Sequence, residues 1–137
     1  MVRHVQTEFN LANRYQGPMG SPMSEAGRPQ ASRNGHILAN LILGIDAYKI
    51  VSSPLGRTMQ AAKLICTEVG AERVDADARL VEHGYGELEG LLRDQVTPNE
   101  ARNGRPAKLN LWNYAMPGGE SYRMVAEHVK SWLDDVR

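Results

Sequence analysis

Apolar residues recur at helical spacing in three stretches of the chain. The pattern predicts helices over about 26–43, from Pro54 to about Val69, and over 121–136. The positions expected to face inward on these helices are Ile37, Leu38, Leu41 and Ile42; Leu55, Met59, Ala62 and Ile65 or Cys66; and Met124 or Val125, Val129 and Leu133.

The predicted helices alternate with short β-favouring runs. Tyr48–Ser52 predicts a buried strand, a second short strand is predicted at Arg73–Asp75, and Met1-Val2 could end an earlier one. The 84–119 region is broken up by glycine and proline and has no clear period. Strands that alternate with helices favour an α/β fold with a parallel sheet covered by helices.

Capping residues refine the predicted helix ends. Ser24 is the expected N-cap of the first helix, which Gly44 would stop. For the second helix we expect Ser53 as N-cap, Pro54 at the first helical position and Gly70 at the end.

Composition narrows the class of protein. The 137 residues suit one domain, 1–137, and 16 basic against 16 acidic residues give a net charge of zero. Without a basic field, neither a nucleic acid nor a membrane is expected as partner, and a small anionic substrate is favoured.

The single cysteine, Cys66, excludes an intramolecular disulfide and fits a reducing, cytoplasmic location; its place on a helical face predicts a small core residue. Neither a membrane-spanning run nor a signal peptide is recognised.

Three places put polar groups where an α/β fold binds ligands. The Arg3-His4 pair follows the first predicted strand, and ligands of such sheets bind beyond the carboxyl ends of strands. In 52–57 (SSPLGR), a strand-to-helix junction offers unpaired N–H groups to an anion, and Arg57 could clamp it with two hydrogen bonds. In 80–90 (LVEHGYGELEG), glycine turns could aim one carboxylate inward, with Glu82 the candidate. The plain alternatives are a surface Arg-His pair, a solvent-facing arginine and a turn of solvated acids such as Glu87 and Glu89.

Taken together and in order, the motifs resemble those of the histidine phosphatase superfamily, which comprises the cofactor-dependent phosphoglycerate mutases and their phosphatase relatives. The resemblance covers essentially the whole chain and implies a three-layer α/β/α sandwich. The short gap between Gly90 and Pro117 is more similar to the phosphatase branch than to the mutases. The motifs that carry the resemblance are 3–10 (RHVQTEFN), 14–17 (RYQG), 21–27 (SPMSEAG), 52–57, Glu82 with Tyr85-Gly86 and Glu89-Gly90, and 117–122 (PGGESY).

The resemblance also implies roles for individual residues. His4 would be the nucleophile that forms a phosphohistidine, its other ring nitrogen held by a backbone carbonyl, and Glu82 would be the proton donor and later the base. No metal and no cofactor is implied, the substrate would be a small phosphorylated metabolite, and a homo-oligomer is left open. The phosphate would be held by Arg3, Arg57, Asn10, Gln16 and the backbone at Gly17, with Tyr85 near the rest of the substrate. Trp112 and Tyr114 could form part of a wall on the substrate side of the site, although buried packing is favoured. The other histidines, His36, His83 and His128, are expected to have no catalytic role, with His36 at the surface.

Two departures from the family pattern change what is expected of this chain. Val5 stands where the family has glycine, so its side chain could crowd the phosphate. The family's second catalytic histidine, in a late His-Gly strand that lies centrally in the sheet, has no counterpart before Arg137. The fold is therefore expected to be incomplete, as in a fragment, a truncated reading frame or a half completed by a partner. A phosphomonoesterase is favoured, with a phosphoglycerate mutase as the alternative enzyme and an inactive remnant or phosphate-ligand binder as the alternative outside enzymes.

Overall fold

The computed structural model describes residues 1–42, 44–45, 48–96 and 112–136. Within them, strands β1 and β2 pair in parallel, with Val51 opposite Asp75 and Ser52 opposite Ala76. Two short 3₁₀ turns, Ala78–Leu80 and Gly86–Leu88, follow β2. In chain order the helices and strands are α1 (Glu8–Leu11), α2 (Gly27–Leu41), β1 (Val51–Ser52), α3 (Gly56–Val69), β2 (Asp75–Ala76) and α4 (Tyr122–Asp135).

The helices follow the predicted positions, whereas the strands are shorter and two predicted caps are wrong. Strand β1 covers only the end of the 48–52 run, β2 is shifted to 75–76, and Met1-Val2 is outside any strand. Ser24 does not cap α2, because Ala26 is the N-cap and the Ser24 hydroxyl bonds to the side chain of Gln6. Ser53 does not cap α3 either, since Leu55 is the N-cap and the helix begins at Gly56 instead of Pro54.

Helices α2 and α3 pack through small residues instead of the large apolar ones. The buried positions on α2 are Gly27, Ala31 and Gly35. Of the predicted inward positions, Leu38 and Ile42 are half-buried, but Ile37 and Leu41 are exposed, so the prediction is wrong at those two. A Cβ on Gly35 would come within 3.2 Å of the Ile65 Cα, which shows how closely the two backbones approach. Periodicity of large apolar residues misses such a contact because only small residues fit it.

Val5, Ala31 and Ala61 form one core cluster, with Met23 and Leu64 packed against it. Helix α3 also buries Ala62, Ile65 and Cys66 as predicted, and burial raises the pKa of the Cys66 thiol. A second cluster joins Leu88, Val96 and Met116 to three tyrosines, Tyr15, Tyr85 and Tyr114. The described part of the chain thus has two small centres of packing, one around Val5 and one beside the 82–90 turn.

Helix α4 holds the segment that leads to Glu82. Ser121 caps it by accepting the Met124 N–H at 3.3 Å, as its serine-led start predicts. Of its predicted inward stripe, Val125 and Val129 are half-buried, but Met124 and Leu133 are exposed. Arg79, in the 78–80 turn, donates to Asp135 on this helix and to Asp77, and its hydrogen bonds lower the pKa of Asp77 to about 2. No helix among the described residues is long and apolar enough to span a membrane.

Candidate active site

The imidazole of His4 has one nitrogen engaged by the backbone. Its Nδ1 lies 2.7 Å from the Val5 carbonyl oxygen. Because a carbonyl can only accept a hydrogen bond, Nδ1 carries the proton of the neutral ring and Nε2 keeps a lone pair. This is the orientation that a nucleophilic histidine needs.

Partial burial and nearby arginines favour the neutral form of the His4 ring. Desolvation lowers the pKa of His4 below its usual 6.5, and Arg57 and Arg3 lower it further. The hydrogen bond to Val5 and the charge of Glu82 oppose this shift without reversing it. These interactions also show that the structure brings four predicted site residues, His4, Arg3, Arg57 and Glu82, into one electrostatic neighbourhood.

Arg57 is buried, not solvent-facing. Its side chain is 3% exposed, Nη2 donates to the Gly17 carbonyl at 2.8 Å, and Nη1 donates to the Met19 carbonyl at 3.3 Å. Burial lowers the pKa of Arg57, while the carboxylates of Glu82 and Glu89 favour its charged form. The predicted two-nitrogen clamp therefore engages the backbone of the 17–19 segment, and each terminal nitrogen has a second N–H.

Val5 does not crowd this neighbourhood. Its side chain is 6% exposed and lies in the core with Ala31 and Ala61. Among the described residues only Asn13 combines a side chain with a positive φ, so Val5 has ordinary backbone geometry. The expectation that the valine side chain would crowd the phosphate is therefore wrong: this branched side chain packs toward α2 and α3.

Thr7, Asn10 and Gln16 form a hydrogen-bonded group beside the 17–19 segment. Thr7 is fully buried and caps α1 together with Asn10. The Thr7 hydroxyl donates a hydrogen bond to Gln16 Oε1 at 3.1 Å. The Asn10 amide nitrogen lies 3.5 Å from the same oxygen. Gln16 Nε2 and Arg57 Nε are buried donors without a partner among the described residues. Unsatisfied N–H donors next to cationic side chains complement an anion better than a neutral ligand.

The 82–90 turn is held by the 117–120 segment and carries Tyr85 and Glu82. Gly84 exchanges two hydrogen bonds with Glu120, through both the backbone and the Glu120 carboxylate, each at 2.9 Å. Glu82 is half-buried and accepts the His83 N–H at 3.2 Å. The Tyr85 ring packs against Tyr15 with ring centroids 5.2 Å apart. The resemblance-based positions Glu82 and Tyr85 thus lie on one braced turn.

Sequence reasoning missed Glu89, which we expected to be a solvated acid. Its carboxylate accepts the backbone N–H groups of Tyr85 at 3.0 Å and Met19 at 3.1 Å. Glu87, given the same interpretation, is exposed, as predicted. The glycine-rich turn is the available signal, because it predicts that one carboxylate turns inward, and Glu89 makes such contacts.

The remaining aromatic and histidine positions have their own partners. Tyr114 packs against the Leu88 cluster, but Trp112 is 48% exposed, so buried packing is confirmed only for the tyrosine. His36 is exposed and lies 3.3 Å from Glu68, as expected of a surface histidine. His83 stacks on Tyr122. Within the described residues no group of three or more His, Cys, Asp or Glu side chains could hold a metal ion.

Comparison with known proteins identifies the family. The family model of the histidine phosphatase superfamily (branch 1) matches residues 1–137. The chain is 35% identical over 134 residues to a protein of Yersinia pestis named "Probable phosphoglycerate mutase GpmB", covering 98% of this chain and 60% of that protein. The chain belongs to the histidine phosphatase superfamily, and it spans about 60% of the length of the curated relatives it matches.

Solved structures agree with this assignment. A mycobacterial glucosyl-3-phosphoglycerate phosphatase in complex with VO3 superposes with a TM-score of 0.80 at 30% identity, covering 98% of this chain and 61% of the other. YhfR of Bacillus stearothermophilus gives a TM-score of 0.74 at 28% identity, covering 98% and 64%. The predicted α/β fold of the phosphoglycerate mutase-like type, present here in part, is confirmed.

Proposed function

We propose that this chain carries the phosphoryl-transfer site of a phosphomonoesterase that hydrolyses a small phosphorylated metabolite through a phosphohistidine at His4. One observation supports it above the others: His4 Nδ1 is bound to the Val5 carbonyl, so Nε2 presents its lone pair beside Arg3 and Arg57. A neutral imidazole held in this way is a nucleophile, and the arginines supply positive charge for phosphoryl oxygens.

The proposed reaction has two displacement steps. The lone pair of His4 Nε2 attacks phosphorus, a P–N bond forms, and the ester P–O bond breaks while Glu82 protonates the leaving oxygen. The Glu82 carboxylate then takes a proton from water, whose oxygen attacks phosphorus and breaks the P–N bond. Inorganic phosphate leaves, and His4 returns to its neutral form. Each proton transfer of this kind contributes roughly 10²–10⁴ in rate.

Arg57 and the group of amides have supporting roles in this proposal. From its buried position, Arg57 places positive charge next to the 17–19 segment, and exposed Arg3 is free to follow the phosphoryl group. Gln16 and Asn10 supply amide N–H donors at the same edge. Two arginines that neutralise the phosphoryl charge can replace a metal ion, so the proposed chemistry needs no metal.

Two other functions fit specific observations. Phosphoglycerate mutase is the second candidate, because the 35% identical curated relative bears that name. A phosphate-ligand binder without turnover is the candidate outside enzymes, because the buried N–H donors of Gln16 and Arg57, which lack a partner in the described part of the chain, would suit an anion whether or not it reacts.

Phosphate release and isomerisation assays separate these functions. We expect the chain to release inorganic phosphate from p-nitrophenyl phosphate and to leave 3-phosphoglycerate unisomerised, with or without a bisphosphoglycerate primer. Isomerisation that depends on the primer would favour the mutase. Phosphate binding in calorimetry without either reaction would contradict the phosphatase and favour the binder.

The rate should depend on pH through His4. Only the neutral ring can attack, and the pKa of His4 is lowered below 6.5, so the acid limb of kcat/KM should have its midpoint below pH 6.5. The lowered pKa of His4 also makes the free energy of unfolding depend on pH. The contribution of His4 to this free energy is fully present above pH 6.5 and is lost as the pH falls through the lowered pKa. A pH–rate profile, with the His4 ring followed by NMR, measures this midpoint. An acid limb centred at or above pH 6.5 would contradict a partly desolvated histidine with a lowered pKa.

A further inference from the structure

The carboxylate of Glu89 joins two chain segments that are distant in sequence. Its Oε2 accepts the Met19 N–H at 3.1 Å, and its Oε1 accepts the Tyr85 N–H at 3.0 Å. Met19 belongs to the segment that Arg57 holds, and Tyr85 belongs to the turn that carries Glu82. A single side chain therefore fixes the separation between the 17–19 segment and the 82–90 turn, which form two edges of the candidate site.

The 17–19 segment is held by opposite charges from its two sides. Arg57 donates to the carbonyl oxygens of Gly17 and Met19, and Glu89 accepts the N–H of Met19. Hydrogen bonds with one ionised partner are roughly twice as strong as neutral ones. The segment is thus fixed at both its donor and its acceptor groups.

Gly17 shows how closely Glu89 approaches this backbone. Gly17 has a φ of +53°, which favours glycine, and a Cβ at this position would lie 2.8 Å from the Glu89 Cδ and closer still to Oε1. The glycine therefore both adopts the turn and admits the carboxylate. The contact between Glu89 and the 17–19 segment is a close-packed feature and not a chance surface approach.

We infer that Glu89 is a positioning residue for phosphoryl transfer: it holds the 17–19 segment and Tyr85 at the separation that the phosphomonoester needs, without touching the reacting atoms. The inference rests on the proposed function. Displacement of a binding group by about 1 Å can cost on the order of 10² in rate, so a tie between two edges of a site has a large effect on catalysis.

The contact itself can be tested without turnover. In ¹H–¹⁵N spectra, Glu89→Gln should shift the amide signals of both Met19 and Tyr85, because glutamine offers one acceptor oxygen in place of two. Glu87→Gln is the matched control, since Glu87 is an exposed carboxylate in the same turn. Unchanged Met19 and Tyr85 signals in Glu89→Gln would overturn the inference.

Kinetics then test positioning against a purely structural role. For Glu89→Gln we expect kcat/KM on p-nitrophenyl phosphate to fall about 10- to 100-fold, with the inhibition constant of inorganic phosphate raised about tenfold. Glu87→Gln should stay within about twofold of the wild type. A loss of folded protein would lower apparent kcat alone, so unchanged KM and inhibition constant in Glu89→Gln would overturn positioning.

Failure of the proposed function gives a different pattern. If the wild-type chain releases no phosphate from the aryl ester, the phosphatase proposal fails and Glu89 is judged by the Kd of inorganic phosphate in calorimetry. About tenfold weaker binding in Glu89→Gln then supports the inference, and equal Kd values overturn it. A wild-type chain that does not bind phosphate overturns both.

Discussion

Replacement of His4 by alanine is expected to lower kcat on an aryl phosphate by at least about 10⁴-fold, because no other group on this chain is proposed to form the covalent intermediate. The side chain is only half-buried, and among the described residues its one hydrogen bond is to the adjacent Val5 carbonyl. We therefore expect the variant to fold, with a circular dichroism melt close to that of the wild type. Steady-state release of p-nitrophenol measures the loss.

The matched control for this variant is His36→Ala. His36 is an exposed histidine on α2 that pairs with Glu68, and its loss should change kcat by no more than about twofold. Equal turnover by His4→Ala and the wild type would contradict the phosphohistidine mechanism, since water attack without the nucleophile would then account for the whole rate.

Replacement of Arg57 by alanine has the second-largest expected effect and acts on both catalysis and stability. Loss of one electrostatic contact in a transition state typically costs 10²–10³ in kcat. The buried side chain also satisfies the carbonyl oxygens of Gly17 and Met19, so the free energy of unfolding should fall by about 1–3 kcal/mol. Steady-state kinetics and urea unfolding measure the two effects separately.

Two further variants separate the two contributions of Arg57. Lys63→Ala removes an exposed cation from the same helix and should leave both quantities near wild type. Arg57→Lys keeps the charge but cannot reproduce the planar pair of donors to two carbonyls, so it should recover only part of the lost rate. Wild-type kinetics in Arg57→Ala would refute an electrostatic role for this arginine.

Much of the site could be predicted from the sequence because its residues lie in short, ordered motifs. The strand-to-helix junction at 52–57 predicted Arg57, and the glycine turn predicted an inward carboxylate. The structure brings Arg57 against Gly17 and into the electrostatic neighbourhood of His4 and Glu82. Motif order therefore predicted which segments meet, although it did not predict that Arg57 would bind the backbone.

Other features depend on contacts that no local pattern encodes. The Val5 side chain points into the core because α2 and α3 leave room beside Ala31 and Ala61, which the neighbouring motif letters do not reveal. Glu89 looked like its exposed neighbour Glu87, and only the long-range approach of Met19 distinguishes them. The small residues between α2 and α3 were missed for the same reason, since a close backbone approach leaves no large apolar signal.

The fold was easier to predict in its helices than in its sheet. Helix α3 ends at Val69 and α4 begins after Ser121, both as the capping and periodic signals predict. Strand β1 has β2 as its hydrogen-bonded neighbour among the described residues and covers two residues, Val51 and Ser52. Strand length depends on the neighbouring strands that pair with it, so a β-favouring run predicts where a strand lies better than how far it extends.

The most direct test of the central claim is to trap the phosphoenzyme and identify the phosphorylated atom. After rapid mixing with p-nitrophenyl phosphate, mass spectrometry should place one phosphoryl group on His4, and ³¹P NMR should assign it to Nε2, since Nδ1 is bound to the Val5 carbonyl. A phosphoryl group on another residue or on Nδ1, or turnover without any phosphoenzyme, would contradict the account.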